Sequence, residues 1–234
     1  MKLLKTLQEE KSSRLKGGIY HKTQIKLTYN TNRIEGSKLS EEQTRYIYET
    51  NTLFTEEGTN TTNIDDIIET VNHFHCFDYL LKIATEPLSE KHIKKFHKIL
   101  KLNTSDSKKD WFKVGAYKSK PNVVGEIETS KPNEVEKHIN TLLENYNTKT
   151  YIEIHDIIDF HYEFEKIHPF QDGNGRVGRL IMFKECLKNN IVPFIIEDEF
   201  KFFYYRGLTE YSKIKEYLID TCLSAQDNYM ELMN

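Results

Sequence analysis

The chain has little of what stapled or metal-held folds rely on: only three of its 234 residues are cysteine, Cys76, Cys186 and Cys222. They are widely spaced, odd in number and set among apolar residues, which argues against a disulfide framework or a zinc cluster and for buried thiols in a reducing compartment. Neither sign of charge dominates. With 33 Lys and Arg against 36 Asp and Glu, the formal net charge is −3, and no basic stripe gathers to neutralise a phosphate backbone, so nucleic acid is discounted as a partner. Long apolar runs are missing too. "MKLLKTLQEEKSSRLKGG" offers only Leu3 and Leu4 before charges resume, too short for a signal peptide, and nothing approaches membrane-spanning length. A soluble, cytoplasmic protein with no membrane partner is expected. There is no repeat and no low-complexity linker, and the glycines and prolines fall between periodic segments.

What is present is mostly helix. Hydrophobic residues make up 38% of the chain, enough for one sizeable core. The polar "FTEEGTNTTN" reads as a junction between an N-terminal helical region, residues 1–60, and a main body, residues 61–234, the two forming one compact unit. After it, Ile67, Ile68, Val71 and Phe74 recur at helical spacing. "PLSEKHIKKFHKIL" caps a helix with Ser89, and "KPNEVEKHINTLLENY" opens another at Pro132 with Val135, Ile139, Leu142 and Tyr146 inward. Between these two, "GAYKSKPNVVGEIETSKP" carries the one confident strand signal, Val123, Val124 and Ile127, and reads as a hairpin flap.

"HPFQDGNGRVGR", His168 to Arg179, answers to no packing rule. Ile154, Ile157, Ile158, His161 and Phe164 form a helical face that leads to His168, and Val177, Leu180, Ile181 and Leu187 mark a helix that begins within the motif. The start of that helix offers unpaired N–H groups, and the glycines at 173 and 175 let an anion reach the backbone beside Asn174. Arg176 and Arg179, three apart, can bring two guanidinium groups to one anion, as a polyphosphate requires. Asp172 beside such an anion is an oxygen ligand for Mg²⁺. His168 can act as a general base toward a hydroxyl, and Phe170 anchors the loop in the core. His73, His75 and His161 read as ordinary histidines. The two histidines of "HFHC" point to different helical faces, which argues against a metal site there.

The twelve residues match H-P-F-x-[DE]-G-N-G-R-x-x-R without departure, and so the chain resembles the Fic domains. Similarity to the surrounding helices runs from about Pro87 to Leu223. The resemblance implies an all-α fold with a short β-hairpin flap, and transfer of AMP from ATP to a Tyr, Ser or Thr hydroxyl with pyrophosphate leaving. By that resemblance His168 is the base, Asp172 the ligand of Mg²⁺ or Mn²⁺, Gly173, Asn174 and Gly175 the anion nest, and Arg176 and Arg179 the β- and γ-phosphate ligands. Tyr204 and Tyr205, in "FFYYRGL", look like an adenine-side wall, though a tyrosine-rich stretch serves equally well as core. Val123 and Val124 resemble the strand on which the family clamps a target protein. The partners implied are ATP, an unidentified target protein and the chain itself through self-modification; a homo-oligomer stays open. Lys118 departs from the family, where arginine commonly follows "GxY".

Far upstream, "TNRIEG" ends a helix at Gly36, and "SEEQ" opens the next with a capping box from Ser40 to Gln43. Glu35 therefore faces the negative end of a helix dipole, a cost of roughly 0.3–1 kcal/mol unless a cation compensates. Taken alone it reads as an exposed, tolerated glutamate. Thr31, Glu35 and Gly36 nevertheless resemble the family's inhibitory [ST]-x-x-x-E-[GN] motif, and the cation would be Arg179. An autoinhibited adenylyltransferase is the first reading. Removal of AMP by a water that Glu35 positions, and a nucleotide-responsive binding module without chemistry, are the alternatives.

Overall fold

A computed structural model describes residues 2–53, 61–124 and 127–233 of the chain. Among them helices make the fold: α1 (Lys2–Ser13), α2 (Ile19–Ile34), α3 (Glu41–Thr50), α4 (Ile64–Lys82), α5 (Glu90–Leu100), α6 (Val135–Asn147), α7 (Ile154–Ile167), α8 (Asn174–Lys188), α9 (Lys201–Glu210) and α10 (Glu216–Met233). Short strands β1 (Val123–Val124) and β2 (Ile127–Glu128) pair antiparallel, with Val123 opposite Glu128 and Val124 opposite Ile127. Residues 54–60, where the junction between the two regions was expected, lie outside the described residues.

Local chemistry sets the helix ends. Ser40 and Gln43 exchange the two bonds of a capping box, and the Ser89 side chain accepts from the His92 N–H, each satisfying donors that a helix start leaves open. α2 closes in a Schellman motif: the Ser37 N–H reaches Asn32 O, the Gly36 N–H reaches Arg33 O, and Gly36 takes φ of 101°, a conformation that glycine adopts without strain. One expected boundary moves. α6 begins at Val135 rather than Pro132, because Lys131 O accepts from Glu134 N–H in a turn ahead of it, and Leu143 rather than Leu142 is the fully buried leucine.

α8 runs through the centre. Thirteen of its fifteen residues are buried, so it presents no single apolar stripe, as befits a helix enclosed on all sides. α7 packs along it, with α4 and α5 on another side, and Phe77, Phe96, Phe164 and Phe183 fill the space between them without exposure. Leu4, Leu7, Tyr20 and Leu27 of α1 and α2 belong to this same core.

Polar contacts add to the apolar ones that hold α2. Thr28 Oγ1 meets His73 Nδ1 at 2.8 Å, Asn32 Nδ2 donates to Thr70 Oγ1 at 3.3 Å, and Thr23 Oγ1 meets Tyr229 OH at 2.8 Å. Each such bond contributes about 0.5–1.5 kcal/mol, but leaving a buried partner unpaired costs more. These bonds fix the rotation and register of α2, and therefore where its last residue points.

Candidate active site

α7 ends and α8 begins around a six-residue loop bounded by two left-handed residues, His168 (φ 49°, ψ 63°) and Gly173 (φ 82°, ψ 11°). A side chain at 173 would be strained by that φ, and its Cβ would stand 3.2 Å from Leu100 Cδ2. Asn174 closes the loop from within: its Oδ1 accepts from Phe170 N–H at 2.8 Å and its Nδ2 donates to Phe170 O at 2.9 Å. Phe170 is fully buried, stacked on His97 with ring centroids 4.0 Å apart and planes 7° from parallel. The loop is thus anchored by an aromatic stack and a two-bond amide clamp.

At the first turn of α8 the expected anion nest meets an anion from α2. A Cβ on residue 175 would collide with the Glu35 carboxylate and lie 3.0 Å from Arg179 Nη1, so glycine makes room for both. Arg179 Nη2 donates to Glu35 Oε1 at 2.5 Å and to Thr31 O at 3.1 Å, while Nη1 reaches Tyr204 OH at 3.3 Å. Burial acts against the charge of Arg179, but the Glu35 carboxylate outweighs it, and the guanidinium is held charged well beyond its ordinary range.

Thr31, Tyr204 and Tyr205 lie beside this pair. Thr31 touches Arg179 through its carbonyl, while its buried hydroxyl makes no hydrogen bond among the described residues, so Thr31 does not hold the Glu35 carboxylate by its side chain. Tyr204 is 1% exposed and bonds His161 Nε2 at 2.7 Å as well as Arg179; a sealed ring offers no face to a purine and instead props up the arginine. Tyr205, 40% exposed, with its hydroxyl donating to Ile34 O, keeps an open face. The two motif arginines also do not converge on one group. Arg176 donates to Glu69 of α4 and, at 3.1 Å, to Asp172 Oδ2.

Asp172 sits between cations. Lys101 Nζ is 2.6 Å from its Oδ2, and also meets Glu69 at 2.5 Å and Asp106 at 3.1 Å. Burial alone would raise Asp172, but Arg176 and Lys101 hold it well below the usual carboxylate range. Its side chain is 44% exposed, so the carboxylate opens to the outside while its back is pinned. Among the described residues no three His, Cys, Asp or Glu cluster to hold a metal by themselves. A hard cation at Asp172 would take most of its ligands from phosphate and water, which is how Mg²⁺ is commonly bound.

His168 is mostly enclosed, 18% exposed at its side chain. Burial first and the Lys118 charge second push its pKa down to about 4, so at neutral pH the imidazole is uncharged and able to accept a proton. Lys118 itself, pushed down to about 8 by burial, ties the flap to this loop: its Nζ donates at 2.6 Å to both Asn122 Oδ1 and Thr129 Oγ1, which flank the strand pair, and at 3.3 Å to Ile167 O. Val123, in β1, is 65% exposed. His73 and His161 are buried and bonded, and His75 is exposed. The three cysteines are free and buried.

Sequence reasoning missed Glu69, Lys101 and Glu165. The first two come from α4 and the end of α5, and no local spacing connects them to the motif. Glu165 did leave a signal, since it falls four residues after His161 and three before His168 on one stripe of α7.

Residues 87–186 match the model of the Fic/DOC family, a span that includes the whole loop but not Glu35, Tyr204 or Tyr205. Protein adenylyltransferase Fic of Nematostella vectensis is 26% identical over 190 residues, which cover 78% of this chain and 42% of that protein. Protein adenylyltransferase fic-1 of Caenorhabditis elegans is 26% identical over 184 residues, 77% of this chain and 35% of the relative. The chain thus spans less than half the length of either. A Fic domain containing signaling protein from Bacteroides thetaiotaomicron shares the fold, with a TM-score of 0.78 over 98% of this chain and 91% of its own, at 21% identity. No helix among the described residues is long and apolar enough to cross a membrane.

Proposed function

Residues 87–186 being a Fic/DOC family domain, we propose that the chain is a protein adenylyltransferase, held in check by its own Glu35. It moves AMP from ATP to a Tyr, Ser or Thr hydroxyl, of a target protein or of itself, and pyrophosphate leaves. The observation that carries this reading is a substitution of one anion for another: a carboxylate occupies the helix N-terminus and arginine that a terminal phosphate needs.

The residues divide the work by position. Backbone N–H groups at residues 173–175 and the N-terminal end of α8 bind phosphate oxygens. Arg176 and Arg179 bind the β- and γ-phosphates once they leave Glu69 and Glu35, and they arrive charged, with no reorganisation beyond a change of partner. His168, neutral near pH 7, takes the hydroxyl proton as that oxygen attacks the α-phosphorus. Asp172 would hold Mg²⁺ or Mn²⁺, which would supply positive charge to offset that of the departing pyrophosphate. The strand of Val123 and Val124 receives an extended segment of the target by main-chain pairing, and the Lys118 bonds tie it to the end of the helix that leads to His168. Tyr205 lines the adenine side.

Glu35 blocks this by taking Arg179. A γ-phosphate deprived of that ligand sits in a pose that does not align the α-phosphorus with the incoming hydroxyl, and alignment contributes several kcal/mol to such a step. The direct test is incubation of the Glu35→Gly protein with α-labelled and, separately, γ-labelled ATP. Label retained on protein only from the α-position is the expected result; label only from the γ-position would make the protein a kinase, and none from either would remove the reading.

A further inference from the structure

Where α7 crosses α8 at Gly178, His161 and Glu165 of α7 lie together, with His168, just past the end of α7, beside Glu165. A Cβ on residue 178 would stand 2.7 Å from His161 Nδ1 and 2.9 Å from Glu165 Oε1, so the glycine lets α8 close directly over this pair. On its other side Glu165 faces His168, with Oε2 3.8 Å from Nδ1 and only 15% of the side chain exposed. His161 Nδ1, Glu165 Oε1 and His168 Nδ1 are all buried and make no hydrogen bond among the described residues. Buried polar atoms are nearly always paired, and an orphaned one costs about 1–3 kcal/mol. A purely structural site would be better served by an apolar or amide side chain. His161 gives Nε2 to Tyr204 and keeps its Nδ1 on the Gly178 side near Glu165 Oε1, while Oε2 is the Glu165 oxygen that faces His168. The 3.8 Å gap is of the kind that catalytic hydrogen bonds show before substrate tightens them.

We propose that Glu165 is a positioning residue for His168, its carboxylate accepting the Nδ1–H of the imidazole so that Nε2 is left free to take the proton of the incoming hydroxyl. The inference rests on the AMP-transfer reading and adds to it. In the step, the hydroxyl oxygen bonds to the α-phosphorus, the bond from that phosphorus to the bridging oxygen breaks with its electrons going to pyrophosphate, and the hydroxyl proton passes to Nε2. Glu165 receives no proton. It stabilises the imidazolium that forms and, before that, fixes the tautomer, because Nε2 can accept only when the ring hydrogen is on Nδ1.

Its ionisation state matters for the same reason. A protonated Glu165 can donate to Nδ1 and so enforce the opposite tautomer. The groups facing it are His161 on α7, His168 just past its end, Glu35 at the end of α2, Arg179 on α8 and Tyr204 and Tyr205 on α9; burial first, and Glu35 second, raise its pKa to about 8, with Arg179 opposing. Lys118, from the flap, bears on His168. A protonated Glu165 would hold the base in the tautomer that cannot accept, and its ionisation would release it.

The test reads the tautomer without reference to activity. In ¹⁵N-histidine-labelled protein, with the His168 signals identified by their absence from His168→Ala, the ring nitrogens are followed between about pH 6 and pH 10, above the range in which His168, lowered to about 4, takes up its own proton. The wild type should shift toward the Nδ1–H tautomer with a midpoint near 8, and Glu165→Gln should show no such transition. A wild type without the transition, or the same transition in both proteins, overturns the proposal. In the Glu35→Gly background, Glu165→Gln should lower kcat at least about tenfold with KM for ATP unchanged, and Glu165→Asp should recover part of the loss; an unchanged kcat also overturns it. Absence of AMP transfer in every variant would count against the transferase reading, and the nitrogen signals would still decide whether Glu165 positions His168.

Discussion

Glu35 Oε1 lies 2.5 Å from Arg179 Nη2, joining the last turn of α2 to the first turns of α8 across 144 residues of sequence. The contact resolves two local problems together. A carboxylate at a helix C-terminus gains the cation it lacks, and a buried guanidinium gains the charge that offsets its desolvation. A phosphate in place of the carboxylate would again offset the desolvation of the guanidinium but would leave Glu35 without its cation, so the exchange is not free.

Replacement of His168 should separate chemistry from binding. In the Glu35→Gly background, His168→Ala should lower AMP transfer by roughly 10²–10⁴, while calorimetry finds ATP affinity little changed, because the phosphate-binding groups are untouched. Transfer at the parent rate would remove His168 from the mechanism.

Thr31 tests how finely the switch is built. Its side-chain hydroxyl has no hydrogen-bond partner among the described residues and its carbonyl is what meets Arg179, so Thr31→Ala should leave inhibition intact, whereas a hydroxyl bond to Glu35 would make it a weak activator. Self-modification rates of Thr31→Ala and the wild type should agree; activation approaching that of Glu35→Gly would mean that the hydroxyl takes part after all.

The helix ends at Gly36 and Ser40 and the loop between α7 and α8 were legible in the sequence because they rest on local rules, a capping box and well-placed glycines, whereas the Glu35–Arg179 contact came from the resemblance to a family motif, since the dipole argument alone left Glu35 exposed and tolerated. What could not be read was whatever depends on helices meeting. Lys101 and Glu69 reach the loop only through the packing of α4 and α5 against α8. Tyr204 looked equally suited to an open wall or a core, and burial beside Arg179 decided it. The distribution of Arg176 and Arg179 between different carboxylates also followed from packing, since three-residue spacing alone would let them share a ligand.

Glu165 should make stability depend on pH. Its pKa rises on folding from an ordinary 4.5 to about 8, so between those values the folded chain holds a proton that the unfolded chain has released. The contribution is present in full below the lower value and is lost as pH rises through the higher one, at roughly 1.4 kcal/mol per pH unit in between. Buried His73, His97, His161 and His168, all lowered chiefly by burial, act in the opposite direction below about pH 6.5, so the comparison has to be between variants. Urea denaturation should show Glu165→Gln gaining stability relative to the wild type from about pH 5 to pH 8, with no further gain above. Parallel curves for the two proteins would mean that the carboxyl is ionised throughout.

The central claim, that Glu35 restrains an adenylyltransferase by occupying Arg179, is tested most directly by intact-mass spectrometry of wild type and Glu35→Gly after incubation with ATP and Mg²⁺, since self-modification needs no knowledge of the target. Glu35→Gly should gain the mass of at least one AMP group during a period in which the wild type gains little, and the gain should vanish when Arg179→Ala or His168→Ala is added. An equal gain in both proteins, or a smaller one in Glu35→Gly, would contradict it.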